Sequence, residues 1–225
     1  MPESALPPRL PSRPMAALLF DMDGTIISSI ASAERIWSRW AEAHGLDVAS
    51  FLPTIHGVQS VETIRRLNLP GVDPAAEAAA ITEAEMTDVD DIVAIPGARA
   101  FLEALPRHRW AIVTSAPRRL AERRLTAAGM PTPDLLVAAE DAARGKPAPD
   151  CFLLAAERLG VAASDCLVFE DAPAGIRAAE AADAAVVVVT ATHPEPVRTR
   201  HPAIADYTGL RVAAEPAGIR VTRIA

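Results

Sequence analysis

Five short, unbroken apolar runs divide the chain. They lie at residues 16–20, 110–113, 135–138, 166–169 and 185–189. Runs of four or five apolar residues without polar alternation are typical of strands buried on both faces of a sheet. Segments with helical spacing follow three of them, at residues 120–127, 150–159 and 173–182. This alternation predicts a parallel sheet with right-handed crossovers, which is an α/β fold with a Rossmann-like core.

The interval between residues 26 and 96 breaks this pattern. It is far longer than the roughly 2–6 residues of a usual strand-to-helix loop, and it has helical spacing of its own. Ala33, Trp37 and Trp40 share one predicted helix face, which we interpret as packing within the insertion. We therefore predict an inserted α-helical cap at residues 31–92, with the α/β core at residues 15–30 and 93–225. A short hairpin is expected within residues 211–224.

Composition limits the cellular setting and the partners. The first fourteen residues hold five prolines and no apolar run, so we expect a disordered tail at residues 1–14 and no signal peptide. A net charge of −7 disfavours nucleic acid and anionic membranes as partners. Cys151 and Cys166 are interpreted as buried filler in a reducing compartment. We expect a cytoplasmic protein that is a monomer or a weak dimer, and no membrane span.

Two carboxylates follow the first predicted strand, in the segment FDMDGT. Asp21 and Asp23 are two residues apart, so in an extended segment both side chains point the same way. Gly24 then allows a sharp turn next to a ligand. An ordinary Asp-Gly loop is the simpler explanation. A buried strand that delivers two adjacent carboxylates nevertheless favours a functional site at the carboxyl end of the sheet.

A second acidic pair, Glu170 and Asp171, directly follows the apolar run at residues 166–169. Acids at a helix N-terminus could explain this pair alone, because they stabilise the helix dipole. Together with Asp21 and Asp23, however, they bring three or four carboxylates to one edge. Like charges about 4 Å apart repel by roughly 4 kcal/mol at an effective dielectric constant near 20. Such a cluster is protonated or binds a cation, and a set of oxygen ligands suits Mg²⁺.

Hydroxyl and ammonium groups complete the predicted site. Thr114 and Ser115 follow the run at residues 110–113 and can bind a phosphate oxygen, although a plain helix cap is an equally good explanation. Lys146 is the single lysine beside 21 arginines. A solvated surface lysine would be the usual interpretation, but a compact point charge retained in an arginine-rich chain favours phosphate binding.

These motifs resemble those of the haloacid dehalogenase superfamily of phosphohydrolases. The resemblance rests on FDMDGT, Thr114, Lys146 in GKPAPD, and FEDAPAG, in that order along the chain. Together with the cap segment IHGVQ at residues 55–59, it points to sugar (hexitol) phosphatases and the related deoxyglucose-phosphate and glycerol-phosphate phosphatases. It implies Mg²⁺-dependent hydrolysis of a small sugar or polyol phosphate.

The same resemblance implies individual roles. Asp21 would be the nucleophile that forms an aspartyl-phosphate, and Asp23 the general acid and base. Mg²⁺ would be bound by Asp21, the main-chain carbonyl of Asp23 and Asp171, with Glu170 assisting. Phosphate-binding residues would be Thr114, Ser115 and Lys146. For the cap, we select His56, Gln59 and Arg65 as candidate substrate contacts, against the simpler interpretation that they are structural or solvated.

Two other functions remain open at this level. A sugar-phosphate mutase resembling β-phosphoglucomutase would return the same phosphoryl group to another hydroxyl. Those mutases carry a histidine where this chain has Ala33, which disfavours that alternative. A non-enzymatic phospho-acceptor signalling domain would also use an acidic cluster, a threonine and a lysine on a parallel sheet. A cap over the site disfavours the signalling domain, because receivers need that face open.

Overall fold

The computed structural model describes residues 9–195 and 197–224. A parallel sheet forms the centre of the molecule, with its strands in the order β5-β4-β1-β6-β7-β8. The described residues also form two antiparallel pairs, β2 with β3 and β9 with β10. The strands are β1 (Ala17–Phe20), β2 (Ile27–Ser28), β3 (Val93–Ala94), β4 (Trp110–Val113), β5 (Leu136–Val137), β6 (Cys166–Glu170), β7 (Ala185–Val189), β8 (Ala203–Ile204), β9 (Leu210–Glu215) and β10 (Gly218–Arg223).

Helices connect the strands. They are α1 (Ile30–Ala43), α2 (Val48–Phe51), α3 (Ser60–Leu67), α4 (Pro74–Thr87), α5 (Ala98–Glu103), α6 (Arg118–Ala127), α7 (Asp150–Arg158) and α8 (Pro173–Ala181). The predicted α/β class with a Rossmann-like parallel core is therefore confirmed. All five apolar runs form strands of the central sheet, and their limits differ from the predicted ones by at most one residue.

The period of two along the strands builds two separate cores. Leu18 and Phe20 pack on one face of the sheet, whereas Leu19 packs on the other. The Phe20 and Phe169 rings on neighbouring strands stack with their centroids 4.8 Å apart. Because the strands are buried on both faces, each alternate side chain finds an apolar partner, which is why these runs lack polar residues. The rigid sheet fixes the positions of the loops at its carboxyl edge.

Helices α1 to α4 pack around a core of their own, apart from the sheet. Trp37 and Trp40 meet edge to face at 5.6 Å, and both contact Phe51. This agrees with the interpretation of the two tryptophans as packing residues. The chain enters and leaves this region through the β2–β3 pair, in which Ile27 lies opposite Ala94. We refer to residues 31–92 as the cap, which is our proposed division of the chain.

The N-terminal segment differs from its expected disorder where the structure describes it. Residues 1–8 lie outside the described part. Within residues 9–14, Arg13 forms an ion pair with Asp165 at 2.9 Å. Met15 then pairs with Ile219 of β10, which extends the C-terminal hairpin. The proline content alone did not reveal these partners, because they come from the other end of the chain. Among the described residues, no helix combines the length and apolar character needed to cross a membrane.

Candidate active site

Three neighbouring strands deliver polar residues to the same edge of the sheet. β1 ends immediately before Asp21, β4 immediately before Thr114, and β6 with Glu170 before Asp171. Since β4 and β6 flank β1 and run parallel to it, the carboxyl ends of the three strands lie side by side at one edge of the sheet. Asp21, Thr114 and Asp171 line one cavity of about 90 Å³ between this edge and the cap.

Lys146 joins this cluster from the loop before α7. Its Nζ donates to Asp21 Oδ1 at 2.5 Å, to Glu170 Oε1 at 2.8 Å and to the carbonyl of Val113 at 3.2 Å. The side chain is only 1% exposed, and Phe152 packs against the ammonium group. The single lysine of the chain therefore lies at the site, between two of the carboxylates that the sequence singles out.

Burial and repulsion shape the charges of this cluster. Burial raises the pKa of Asp21 to about 7, with Lys146 opposing the shift and Glu170 reinforcing it. The pKa of Asp171 also lies well above its usual value, because the group is buried and faces Glu170 and Asp21. Burial alone would lower the pKa of Lys146, but the charges of Asp21 and Glu170 outweigh it and raise that pKa. One ammonium group thus faces three buried carboxyl groups, so protons or a bound cation must neutralise the rest of the cluster.

The donor set fits a hard divalent cation. Carboxylate oxygens of Asp21, Glu170 and Asp171 lie within 4.8 Å of one another. Among the described residues, hydrogen bonds engage only Oδ1 of Asp21 and Oδ1 of Asp171, so the second oxygen of each remains for a ligand. A Cβ on Gly24 would lie 2.1 Å from Asp171 Oδ2, so only glycine lets the backbone approach this closely. An oxygen-lined site with surplus negative charge suits Mg²⁺.

Glu170 has a different environment from the other two carboxylates. Its Oε1 accepts from Lys146, and its Oε2 accepts from the main-chain N–H groups of Asp171 and Ala172. Gly175 packs so closely that a Cβ there would lie 1.5 Å from Glu170 Oε1. Both oxygens are thus committed to protein donors. Glu170 lies within the carboxylate cluster, but its contacts fit a role in orienting Lys146 and the turn better than direct metal binding.

Asp23 lies at the same edge with a distinct set of partners. Its Oδ1 accepts from Ser29 Oγ at 2.5 Å and from Arg124 Nη1 at 3.0 Å. These two donors hold one oxygen of the carboxylate and leave Oδ2 for another partner. Arg124 comes from α6 of the core, whereas Ser29 directly precedes α1. Asp23 is therefore positioned independently of the Lys146 cluster, as a separate acid–base group beside Asp21 would require.

The two predicted hydroxyl residues are both at the cavity but differ in their contacts. Thr114 Oγ1 accepts from the main-chain N–H of Ala116 at 3.0 Å, which leaves its own proton for a ligand oxygen. Ser115 Oγ donates to the carbonyl of Gly57 at 3.1 Å. Ser115 thus connects the core to the cap through its hydroxyl.

Of the three cap candidates, only His56 lines the cavity. Its partial burial lowers the pKa of its imidazole, so the neutral ring is favoured there. Gln59 lies elsewhere, because its amide donates to the carbonyl of Ala139 at 2.9 Å and packs on Gly145. Arg65 is 62% exposed and pairs with Glu62. The structure does not bring Gln59 or Arg65 to the cavity, because their side chains are used for cap docking and a surface ion pair.

Two cavity-lining charges were missed from the sequence. Arg124 and Glu85 both line the cavity, and their side chains are each 6% exposed. A signal was present in each case. Arg124 lies on the same helical stripe as Leu120, and Glu85 is four residues after the buried Ile81. A charged residue on a buried helix face requires a partner or a ligand, and this pattern could have identified both.

The comparisons with known proteins agree with this geometry. The family model of haloacid dehalogenase-like hydrolases matches residues 15–183 of this chain. The chain therefore belongs to the haloacid dehalogenase-like hydrolase family. Both the resemblance inferred from the motifs and the expectation of a hydrolase are thereby confirmed.

Two curated relatives and one solved structure show which members of the family this chain resembles. The chain is 42% identical to hexitol phosphatase A of Escherichia coli over 182 residues, covering 79% of this chain and 84% of the relative. It is 32% identical to 2-deoxyglucose-6-phosphate phosphatase 2 of Saccharomyces cerevisiae over 203 residues, covering 80% and 81%. Among solved structures, a family IA haloacid dehalogenase hydrolase from Entamoeba histolytica is similar with a TM-score of 0.72 and 26% identity, covering 86% of this chain and 94% of that one.

Proposed function

We propose that this enzyme hydrolyses phosphate monoesters of small sugars or polyols through a phosphoryl group carried on Asp21. The observation that carries the proposal is the contact of Asp21 with Lys146 beside Asp171 and Thr114, at the bottom of a cavity that the cap covers. Its relatives include enzymes named for hexitol phosphate and deoxyglucose phosphate, which supports a sugar or polyol leaving group.

The first half of the reaction transfers the phosphoryl group to the protein. A carboxylate oxygen of Asp21 attacks phosphorus, and the bond between phosphorus and the ester oxygen breaks. Lys146 and the Thr114 hydroxyl bind the phosphoryl oxygens and offset their charge as it spreads in the transition state. Asp23 gives its proton to the leaving oxygen, so that the sugar departs as a neutral alcohol.

The second half releases phosphate. Asp23, now a carboxylate, takes a proton from water, and that water attacks phosphorus. The bond between phosphorus and Asp21 breaks, and the Asp21 carboxylate is restored. Asp21 and Asp171, with the main-chain carbonyl of Asp23, would hold Mg²⁺, whose charge would neutralise phosphoryl oxygens and the surplus carboxylates. The cap covers the cavity and would keep bulk water from the site during the first half.

Removing the metal tests the proposed role of Asp171. We expect Mg²⁺ at about 100 times its Kd to raise the free energy of unfolding of the wild type by about 2.7 kcal/mol over the protein in EDTA. Asp171→Asn should lose this gain. In EDTA the variant should be at least as stable as the wild type, because a carboxyl group whose pKa is raised by burial lowers the stability of the folded state at any pH above its ordinary pKa.

Thermal or urea unfolding with and without Mg²⁺ measures these differences. Asp165→Asn is the matched control, since Asp165 lies at the opposite end of β6 and pairs with Arg13 at the surface. The control should retain the full Mg²⁺ effect. An unchanged Mg²⁺ effect in Asp171→Asn, or no effect in the wild type, would refute the proposed metal site.

A phosphate-release screen tests the function itself. Purified enzyme with Mg²⁺ is offered hexose, hexitol, glycerol and glycolate phosphates, with no bisphosphate activator present. Hydrolysis of sugar or polyol phosphates is the expected result. No phosphate release in this screen, with conversion of one sugar phosphate to its isomer once a sugar bisphosphate is added, would support the mutase instead. A long-lived phospho-protein without turnover would support the signalling domain. Ala33 lines the cavity with a methyl group, which supports the phosphatase over the mutase. Cytoplasmic location and a monomeric or weakly dimeric state remain predictions.

A further inference from the structure

Beyond the phosphoryl end, the cavity wall contains a buried ion pair. Arg124 Nη2 of α6 lies 3.2 Å from Glu85 Oε1 of α4, so the pair joins the core to the cap. Within the described residues, Nε of Arg124 has no hydrogen-bond partner, and the contact of Nη2 with Glu85 is an ion pair without hydrogen-bond geometry. A buried guanidinium with unsatisfied N–H groups carries a desolvation cost that a ligand oxygen can remove.

The position of the pair places it beside the leaving group. Arg124 also donates to Asp23 Oδ1, and Asp23 is the group proposed to protonate the ester oxygen. The next atoms of the substrate therefore lie close to Arg124 and Glu85. Much of the remaining wall there is apolar, with Trp37, Ile30 and Leu120 among its residues. The ion pair is thus a polar feature where carbon-bound hydroxyls of a substrate would lie.

The charge balance selects the kind of leaving group. Arg124 is one positive charge between two carboxylates, Asp23 and Glu85, so it offers no surplus positive charge to a second anion. A carboxylate accepts hydrogen bonds and a guanidinium donates them, which is the pairing that neighbouring hydroxyls need. Resting on the proposed phosphatase function, we propose that Glu85 and Arg124 bind hydroxyl groups of the leaving group and thereby favour uncharged polyols over alkyl and anionic groups.

Paired substrates separate hydroxyl recognition from general catalysis. Sorbitol phosphate is compared with hexyl phosphate, and glycerol phosphate with propyl phosphate, because each pair shares its carbon count and differs in hydroxyls. We expect the wild type to have the higher kcat/KM for the hydroxylated member. Glu85→Gln should lower that preference at least about tenfold, mainly through KM, since a site built to bind a hydroxyl discriminates against substrates that lack it. In Glu85→Gln, kcat/KM for phosphoglycolate should rise relative to kcat/KM for sorbitol phosphate.

The chain offers a close control for the cap–core ion pair. Glu83 is also on α4 and pairs with Arg119 of α6, but it is 62% exposed and does not line the cavity. Glu83→Gln should leave the substrate preference unchanged. Burial raises the pKa of Glu85, so the neutral glutamine should be tolerated in the fold, and thermal unfolding checks this. Glu85→Asp, which keeps the charge but shortens its reach, should lower the preference in the same direction.

The possible results test two separate claims, hydroxyl recognition by Glu85 and Arg124 and the phosphatase function itself. An equal fall in kcat/KM for all four esters in Glu85→Gln would overturn hydroxyl recognition, because it would indicate a merely structural role. An unchanged preference, or a wild type that favours the alkyl esters, would also overturn it while leaving the phosphatase intact. If the wild type releases no phosphate from these esters or from p-nitrophenyl phosphate, the proposed function itself fails.

Discussion

Asp21→Asn is expected to lower phosphate release by at least about four orders of magnitude while the protein stays folded. An amide oxygen is a poor nucleophile, so the phosphoryl group would have no acceptor on the protein. The fold should tolerate the change, because Lys146 keeps Glu170 and the Val113 carbonyl as partners. Steady-state release of inorganic phosphate from a sugar phosphate, with thermal unfolding of the same sample, measures both expectations.

Asp165→Asn again supplies the control, since it makes the same chemical change at the opposite end of β6. It should retain wild-type kcat/KM. Substantial turnover in Asp21→Asn would contradict the assignment of the nucleophile. A loss of activity that follows a loss of folded protein would show instead that Asp21 is a structural residue.

Lys146→Arg is expected to reduce kcat/KM at least about a hundredfold, although it conserves the charge. Lys146 is almost fully buried, and its Nζ reaches acceptors on β4, on β6 and directly after β1 from one point. A planar guanidinium is larger and donates in a fixed fork, so it cannot reproduce this geometry or fit above the Phe152 ring. The same phosphate-release assay measures the effect.

Arg144→Lys is the converse exchange two residues earlier. Arg144 is 72% exposed and pairs with Asp150 at the surface, so we expect wild-type activity and stability from this variant. Wild-type turnover in Lys146→Arg would show that the single lysine is accidental and that its position at the site has no bearing on phosphoryl transfer.

The sheet and its catalytic edge could be predicted because their signals are local. Continuous apolar runs identify strands buried on both faces, and polar residues directly after them mark the carboxyl edge. Asp21, Thr114 and Asp171 follow three adjacent strands for this reason. Lys146 could be selected from composition alone, since a single lysine among 21 arginines is visible without any knowledge of the residues it contacts.

The parts that could not be predicted depend on partners distant in sequence or on elements too short to show a pattern. Arg124 meets Asp23 across 101 residues, and helical spacing alone cannot show whether a charged residue on an apolar stripe has such a partner. Gln59 lies in a motif of the resemblance, yet its amide bonds to Ala139 of the core instead of facing the cavity. The β2–β3 pair at the base of the cap consists of only two residues per strand, which is too short to produce a periodic pattern.

The central claim is that the Asp21 carboxylate carries the phosphoryl group, and chemical trapping tests it most directly. Enzyme turning over a sugar phosphate with Mg²⁺ is quenched in acid and treated with borohydride, which reduces an acyl-phosphate to an alcohol. Peptide mass spectrometry then locates the reduced residue. We predict homoserine at position 21 and an unchanged aspartate at position 165. Enzyme quenched without substrate should contain no homoserine. Phosphate release in a single turnover with no modified residue, or with the modification at Asp23 or Asp171, would contradict it.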